Sequence, residues 1–74
     1  MEMLRRSILD ALRAKYEAEI AEADATANIY LTNSVGIGEH PQHLEEVNKQ
    51  IEKIANAKEK LEVLDEFEPE KEVL

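Results

Sequence analysis

The sequence predicts an all-α protein, a two-helix antiparallel hairpin with coiled-coil-like packing. Only two Gly and two Pro occur in 74 residues, and three of these four lie in the short stretch SVGIGEHP. The segments on both sides are rich in Ala, Glu, Lys and Leu, which favour helix. Each segment carries apolar residues at helical spacing, and the two apolar lines match when the chain folds back at that stretch. The length predicts a single domain.

The first helix is predicted over about residues 3–33. Its apolar residues recur every three or four positions, so they share one face: Leu9, Leu12, Tyr16, Ile20, Ala23, Ala27 and Tyr30. Gly36 can adopt the left-handed conformation that commonly follows the end of a helix. The turn is therefore predicted at about residues 34–41.

The second helix is predicted over about residues 41–67, because Pro41 suits the first helical position. Its apolar line is interrupted by one Lys, whose alkyl stem can still cover apolar surface. The line consists of Leu44, Val47, Ile51, Ile54, Lys58, Leu61 and Leu64. Residues 68–74 are mostly charged and are predicted to fray as an acidic tail.

A single fold point near Ile37 brings the two apolar lines together. Tyr30 is then expected to face Leu44, and Ala23 to face Ile51, so that small residues oppose large ones. The charges favour the same arrangement, since it places the bases of the first helix start beside the acids of the second helix end. The groups expected to meet are Arg5, Arg6 and Arg13 with Glu62, Asp65 and Glu66.

The net charge of −8 and the absence of Cys restrict the possible functions. An acidic surface repels phosphate backbones and anionic lipids, so direct binding to nucleic acid or to a membrane is not expected. No stretch is apolar enough for a transmembrane helix. The lack of Cys excludes disulfides and fits a reducing compartment, so a cytoplasmic location is predicted.

The chain has more apolar residues than two helices can cover. A lone hairpin leaves its inner side chains open on both flanks, whereas two hairpins paired as a four-helix bundle close those flanks. We therefore expect a homo-oligomer, with a dimer favoured, or a partner protein that supplies the missing helices. The large apolar residues expected at this interface are Leu31, Ile37, Leu64 and Phe67.

A line of small residues follows the opposite face of the first helix at spacings of three or four: Ala14, Ala18, Ala21 and Ala25. One interpretation is a close-packing face for another helix, which would add these residues to the interface. The other is that Ala is simply the best helix former on a solvated face. The sequence leaves both interpretations open.

Both histidines lie near the start of the second helix. His40 and His43 are followed by Glu46, one helical turn after His43. His and Glu at i and i+3 can share a metal ion, so these three residues are candidate ligands. The alternative is a solvated helix start, where the helix dipole favours acids. The pattern falls short of a usual metal site, and no catalytic residue and no cofactor are predicted.

Three stretches, ALRAKYEAEIAEA, NSVGIGEHP and KLEVLDEF, give the chain a family resemblance. They resemble small helical proteins encoded by tailed bacteriophages, marine cyanobacterial phages among them, over about residues 4–67. The resemblance brings no assigned activity, so no functional residue is carried over. It implies a viral gene product that acts in the host cytoplasm on a host or phage protein.

The leading hypothesis is a non-enzymatic protein–protein interaction module that self-associates and presents an acidic surface. One alternative is a metal-binding protein that uses the turn histidines. Another is an acidic mimic of nucleic acid that binds a basic host protein. An enzyme is not expected, because a two-helix scaffold lacks a concave pocket of the size that small-molecule sites need.

Overall fold

The computed structural model describes residues 2–32 and 40–68, and these form two helices. Helix α1 spans Glu2–Thr32, and helix α2 spans His40–Asp65. The helices pack along their lengths into a rod with extents of 55 × 21 × 15 Å. The all-α hairpin predicted from the sequence is therefore confirmed. The predicted turn, including Ile37, and residues 69–74 of the predicted tail lie outside the described residues.

Contacts at the two ends of the rod define an antiparallel register. At one end the Arg6 side chain of α1 reaches Glu68, just beyond α2. At the other end Tyr30 of α1 meets His43 of α2. Facing residue numbers therefore add up to about 74, as the predicted fold point near Ile37 requires.

The face that α2 turns toward α1 differs from the predicted one. Leu44 is 71% exposed and Ile51 is 55% exposed, so their predicted pairing with Tyr30 and Ala23 is wrong. Gln50 and Ala57 are buried instead, each one residue before an exposed member of the predicted line, which is a rotation of about 100° around the helix. Their line begins with the Tyr30 partner His43 and continues through Leu64 and Glu68, which are also buried. Lys60 lies over the Tyr16 ring, with Nζ 5.5 Å from the ring centroid.

Small side chains and polar contacts at both ends explain this rotation of α2. Ala23 and Ala57 are each only 1% exposed, and Ala at a helix contact lets two helix axes approach closely. His43 and Glu68 both bond to groups on α1, so the line that contains them must face α1. The larger apolar side chains next to this line are consequently turned toward solvent.

The hairpin encloses only a thin core. Its buried apolar residues are Leu9, Ala23, Ala27, Ala57 and Leu64. Among the described residues, no large side chain is less than 2% exposed. Nine large apolar side chains are about half exposed or more: Met3, Leu4, Ile8, Ile29, Leu31, Leu44, Ile51, Val63 and Phe67. Two helices alone therefore leave much of this chain's apolar surface exposed to solvent.

Enlarging an alanine that is buried between the two helices should destabilise the hairpin. We expect Ala23→Leu to lower the free energy of unfolding by about 1–3 kcal/mol, because the added methyl groups overpack a closed contact. The matched control is Ala18→Leu on the exposed face of α1, where a change within about 0.5 kcal/mol is expected. Urea unfolding followed by circular dichroism measures both. Equal stability of the two variants would contradict the close contact of α1 and α2 at Ala23.

Candidate interaction surfaces

The rod has two flanks with different chemistry. Lys53 and Lys60 line clefts between the helices on one flank, which we call the front. Leu44 and Ile51 each precede one of these lysines by nine residues, a rotation of about 180° around a helix. They therefore lie on the opposite flank, which we call the back. Leu31 joins them there, since it is nine residues from Glu22 of the front cleft.

On the back flank, α2 carries an apolar line with coiled-coil spacing. The line, called here the α2 stripe, consists of Leu44, Val47, Ile51 and Ile54. Spacings of three and four residues are those of heptad positions a and d. The first and third members are exposed, whereas Val47 and Ile54 are half-buried against α1. The stripe is thus half covered by the hairpin and half open.

The positions of α2 directly beside the stripe on its solvent side carry no charge. Asn48 and Ala55 follow it along its solvent side, at the positions where coiled coils usually carry charges. The first charge in line with the stripe is Lys58, one heptad after Ile51. The side of the stripe formed by Asn48 and Ala55 therefore presents no like charge to a second helix, whereas Asp24 of α1, one heptad before Leu31, lies on the same flank.

The middle of the front flank is a polar cleft of about 480 Å³. Glu19, Glu22 and Thr26 line it from α1, with Gln50 and Lys53 among the residues of α2. Its charged residues are of both signs. We assign this cleft no binding role.

An apolar groove of about 380 Å³ opens at the chain-terminal end of the front flank. We call it the terminal groove; its walls are Leu12 and Tyr16 of α1 and Lys60, Val63 and Phe67 of α2 and its C-terminal turn. Beside it, a smaller pocket runs along α1 past Leu4, Arg5 and Ile8. Among the described residues, the charged ones that line these two pockets are both positive, Lys60 and Arg5.

Three arginines of α1 hold the end of α2. Arg6 donates to Glu68 at 2.5 Å, and Arg13 donates to Glu68 and Asp65, both at 3.1 Å. Arg5 donates to the Phe67 carbonyl oxygen at 2.6 Å, which satisfies an acceptor at the helix end. We call this set the arginine clamp. The sequence predicted the three arginines and Asp65, but Glu68 takes the place expected for Glu62 and Glu66.

The geometry of the chain after α2 brings Glu68 into the clamp. The backbone N–H groups of Glu66, Phe67 and Glu68 each donate to the carbonyl three residues earlier, which tightens the last turn. The Glu68 side chain is thereby buried beside Arg6 and Arg13. These arginines hold the pKa of Glu68 below its ordinary value, chiefly through the hydrogen bond from Arg6 and then that from Arg13. The pKa of Arg13 is raised in return, mainly by its hydrogen bond to Glu68.

Acid should release the clamp. Because the pKa of Glu68 is lowered in the folded state, the carboxylate stabilises the fold above its ordinary pKa, about 4.3, and this stabilisation is lost as the pH falls through the lowered pKa. We expect Glu68→Gln to lower Tm at neutral pH, with a gap to the native chain that closes in acid. Glu66→Gln, at an exposed position of the same turn, is the control. A gap that stays constant from pH 7 to strong acid would contradict this role of Glu68.

The candidate metal ligands are only partly described, because the side chain of His40 lies outside the described part of the structure. His43 donates from Nε2 to the Tyr30 carbonyl oxygen at 2.8 Å, and the two rings meet edge to face with centroids 5.0 Å apart. Glu46 pairs with Lys49 at 3.4 Å. Among the described residues, no three His, Cys, Asp or Glu side chains converge as a metal site would require. His43 instead links the helices near the turn.

Removing this link should weaken the hairpin without any metal. We expect His43→Ala to lower the free energy of unfolding by about 1–2 kcal/mol, from one hydrogen bond and one aromatic contact. His43→Gln, which can still donate to the carbonyl, should recover part of the loss. The measurement is chemical unfolding with a chelator and then with added Zn²⁺. A loss seen only when Zn²⁺ is present would instead indicate a metal ligand.

The predicted interface residues fall on different parts of the surface. The four alanines of the α1 line, Leu31 and Phe67 are exposed. Leu64 is 5% exposed and packs within the hairpin, so its apolar surface is already used between α1 and α2. The exposed half of the α2 stripe was missed, because the sequence prediction placed those residues inside. The heptad spacing of the stripe was the signal that could have revealed it.

Neither described helix combines the length and apolarity needed to cross a membrane. Comparisons with known protein families, with curated proteins and with solved structures find no match. The bacteriophage origin stays a prediction, and the surfaces described above are the basis for any functional inference.

Proposed function

We propose that this protein is a non-enzymatic interaction module that self-associates as a dimer of hairpins through the α2 stripe. The observation that supports the proposal most strongly is the exposure of Leu44 and Ile51 on a heptad line whose other members, Val47 and Ile54, are half-buried. A helix with such a line packs against α1 on one side and has room for a further helix on the other. A second copy supplies that helix.

The amount of exposed surface leaves room for an interface. The chain exposes 5827 Å², whereas a compact monomer of 8.4 kDa would expose about 4,600 Å². The difference of about 1,200 Å² is comparable with the ~800 Å² that each partner buries in a stable interface. An elongated hairpin can therefore form a sizeable interface without unfolding.

An antiparallel arrangement of two α2 stripes matches their side chains best. Leu44 of one copy then packs over Ile54 of the other, and Val47 over Ile51. The two-fold axis repeats both contacts, which gives four consecutive apolar layers. A parallel arrangement would instead place Lys58 opposite Lys58 of the second copy. The antiparallel dimer has its turns at opposite ends and its acidic surface outside.

A charge in the stripe should abolish the dimer. We expect sedimentation equilibrium to give about 17 kDa for the native chain, twice the 8.4 kDa of one copy. Ile51→Asp should give a monomer, because an unpaired buried carboxylate costs several kcal/mol and each ~1.4 kcal/mol raises the dissociation constant tenfold. Leu44→Ser should weaken the dimer by a smaller factor.

Ala18→Asp is the matched control, since it adds the same charge to the exposed alanine face of α1. It should remain a dimer, with helicity close to that of Ile51→Asp in circular dichroism. A native chain that is monomeric at millimolar concentration would refute the proposal. A dimer that Ala18→Asp disrupts and Ile51→Asp preserves would move the interface to the alanine face.

A further inference from the structure

The terminal groove is a second apolar surface, separate from the α2 stripe. It lies on the front flank at the chain-terminal end, whereas the exposed residues of the stripe lie on the back flank toward the turn. Val63 and Phe67 on its wall are each about half exposed. A dimer formed through the α2 stripe would leave this groove open.

The shape of the terminal groove fits a helix. Leu4, Ile8 and Leu12 follow one another at intervals of four residues along its α1 side. From Leu4 to Tyr16 this side is about 18 Å long, at 1.5 Å per residue. That length accepts about three turns of a partner helix, whose anchors at i, i+3 or i+4, and i+7 would enter between the two walls.

The charge around the groove indicates the chemistry of that helix. The chain has 17 acids and 9 bases, yet among the described residues no acid lines either the groove or the pocket beside it, and the two charged residues on their walls, Lys60 and Arg5, are basic. Arg5 is engaged with the Phe67 carbonyl oxygen. Lys60 lies with Nζ 5.5 Å from the centroid of the Tyr16 ring and is exposed beside the apolar floor. A carboxylate next to an apolar anchor would meet Lys60.

We propose that the terminal groove binds an acidic amphipathic helix of a partner protein, with apolar anchors between α1 and α2 and a carboxylate at Lys60. Leu12, Val63 and Phe67 would cover the anchors, and the positive rim would orient the helix. The chain as a whole has a net charge of −8, so its other surfaces would repel the same helix. This proposal does not depend on the dimer.

The test uses a fluorescein-labelled helical peptide of about 18 residues, five turns, with leucines along one face and glutamates beside them. A second peptide carries lysines in place of the glutamates. Fluorescence anisotropy with the full chain should show saturable binding of the acidic peptide and at least about tenfold weaker binding of the basic one. Equal binding of the two peptides, or no binding of the acidic one, would overturn the proposal.

Chain variants locate the binding site. Lys60→Glu should weaken binding of the acidic peptide about tenfold or more, whereas Lys49→Glu, the same charge change on an exposed Lys elsewhere on α2, should change it about twofold or less. Val63→Ser should weaken binding through lost apolar contact while circular dichroism stays unchanged. Equal effects of the two lysine variants would overturn the assignment.

These variants test the dimer proposal and the groove proposal independently. Leu44→Ser should lower the solution mass and leave peptide binding intact, while Val63→Ser should do the reverse. If Val63→Ser instead converts a dimer into a monomer, a second copy of this chain occupies the groove, and the partner-helix proposal is wrong.

Discussion

Two helices cannot enclose a core, and this constraint governs the whole molecule. Every side chain between α1 and α2 keeps an open flank, so among the described residues only the small Ala23 and Ala57 are almost completely buried. Leu9 and Leu64 are the largest apolar side chains in the buried set. The apolar surface that stabilises larger domains is here divided between a thin seam and two exposed patches. In the proposed dimer, stability and self-association would consequently be linked.

Polar contacts at the ends of the rod decide how that surface is divided. His43 binds the Tyr30 carbonyl near the turn, and the arginine clamp binds Glu68 and the Phe67 carbonyl at the far end. Both contacts belong to one line on α2, so together they fix its rotation. The neighbouring apolar line then faces the back flank as the α2 stripe. Burial of apolar surface alone would have favoured the other rotation of α2, with Leu44 and Ile51 facing α1.

This competition explains what the sequence could and could not predict. Fold and register follow from strong local signals, namely the glycines and Pro41 between two long helical segments. Helix rotation does not, because α2 carries two adjacent lines and the more apolar one was assigned to the interior. The groups that fix the rotation of α2 are the Tyr30 carbonyl and Arg6. Both lie on α1, away in the sequence from the residues that they contact. The terminal groove likewise depends on both helices and gave no sequence signal, although Phe67 was expected at an interface.

In the proposed dimer, a second copy completes the core that one hairpin leaves open. The most direct test is thermal unfolding of the native chain, followed by circular dichroism from micromolar to millimolar concentration. Association that favours the folded state raises Tm as concentration increases. We therefore expect Tm to rise steadily with the logarithm of concentration. A Tm that is the same at every concentration would show that the hairpin is stable alone, and would contradict the account.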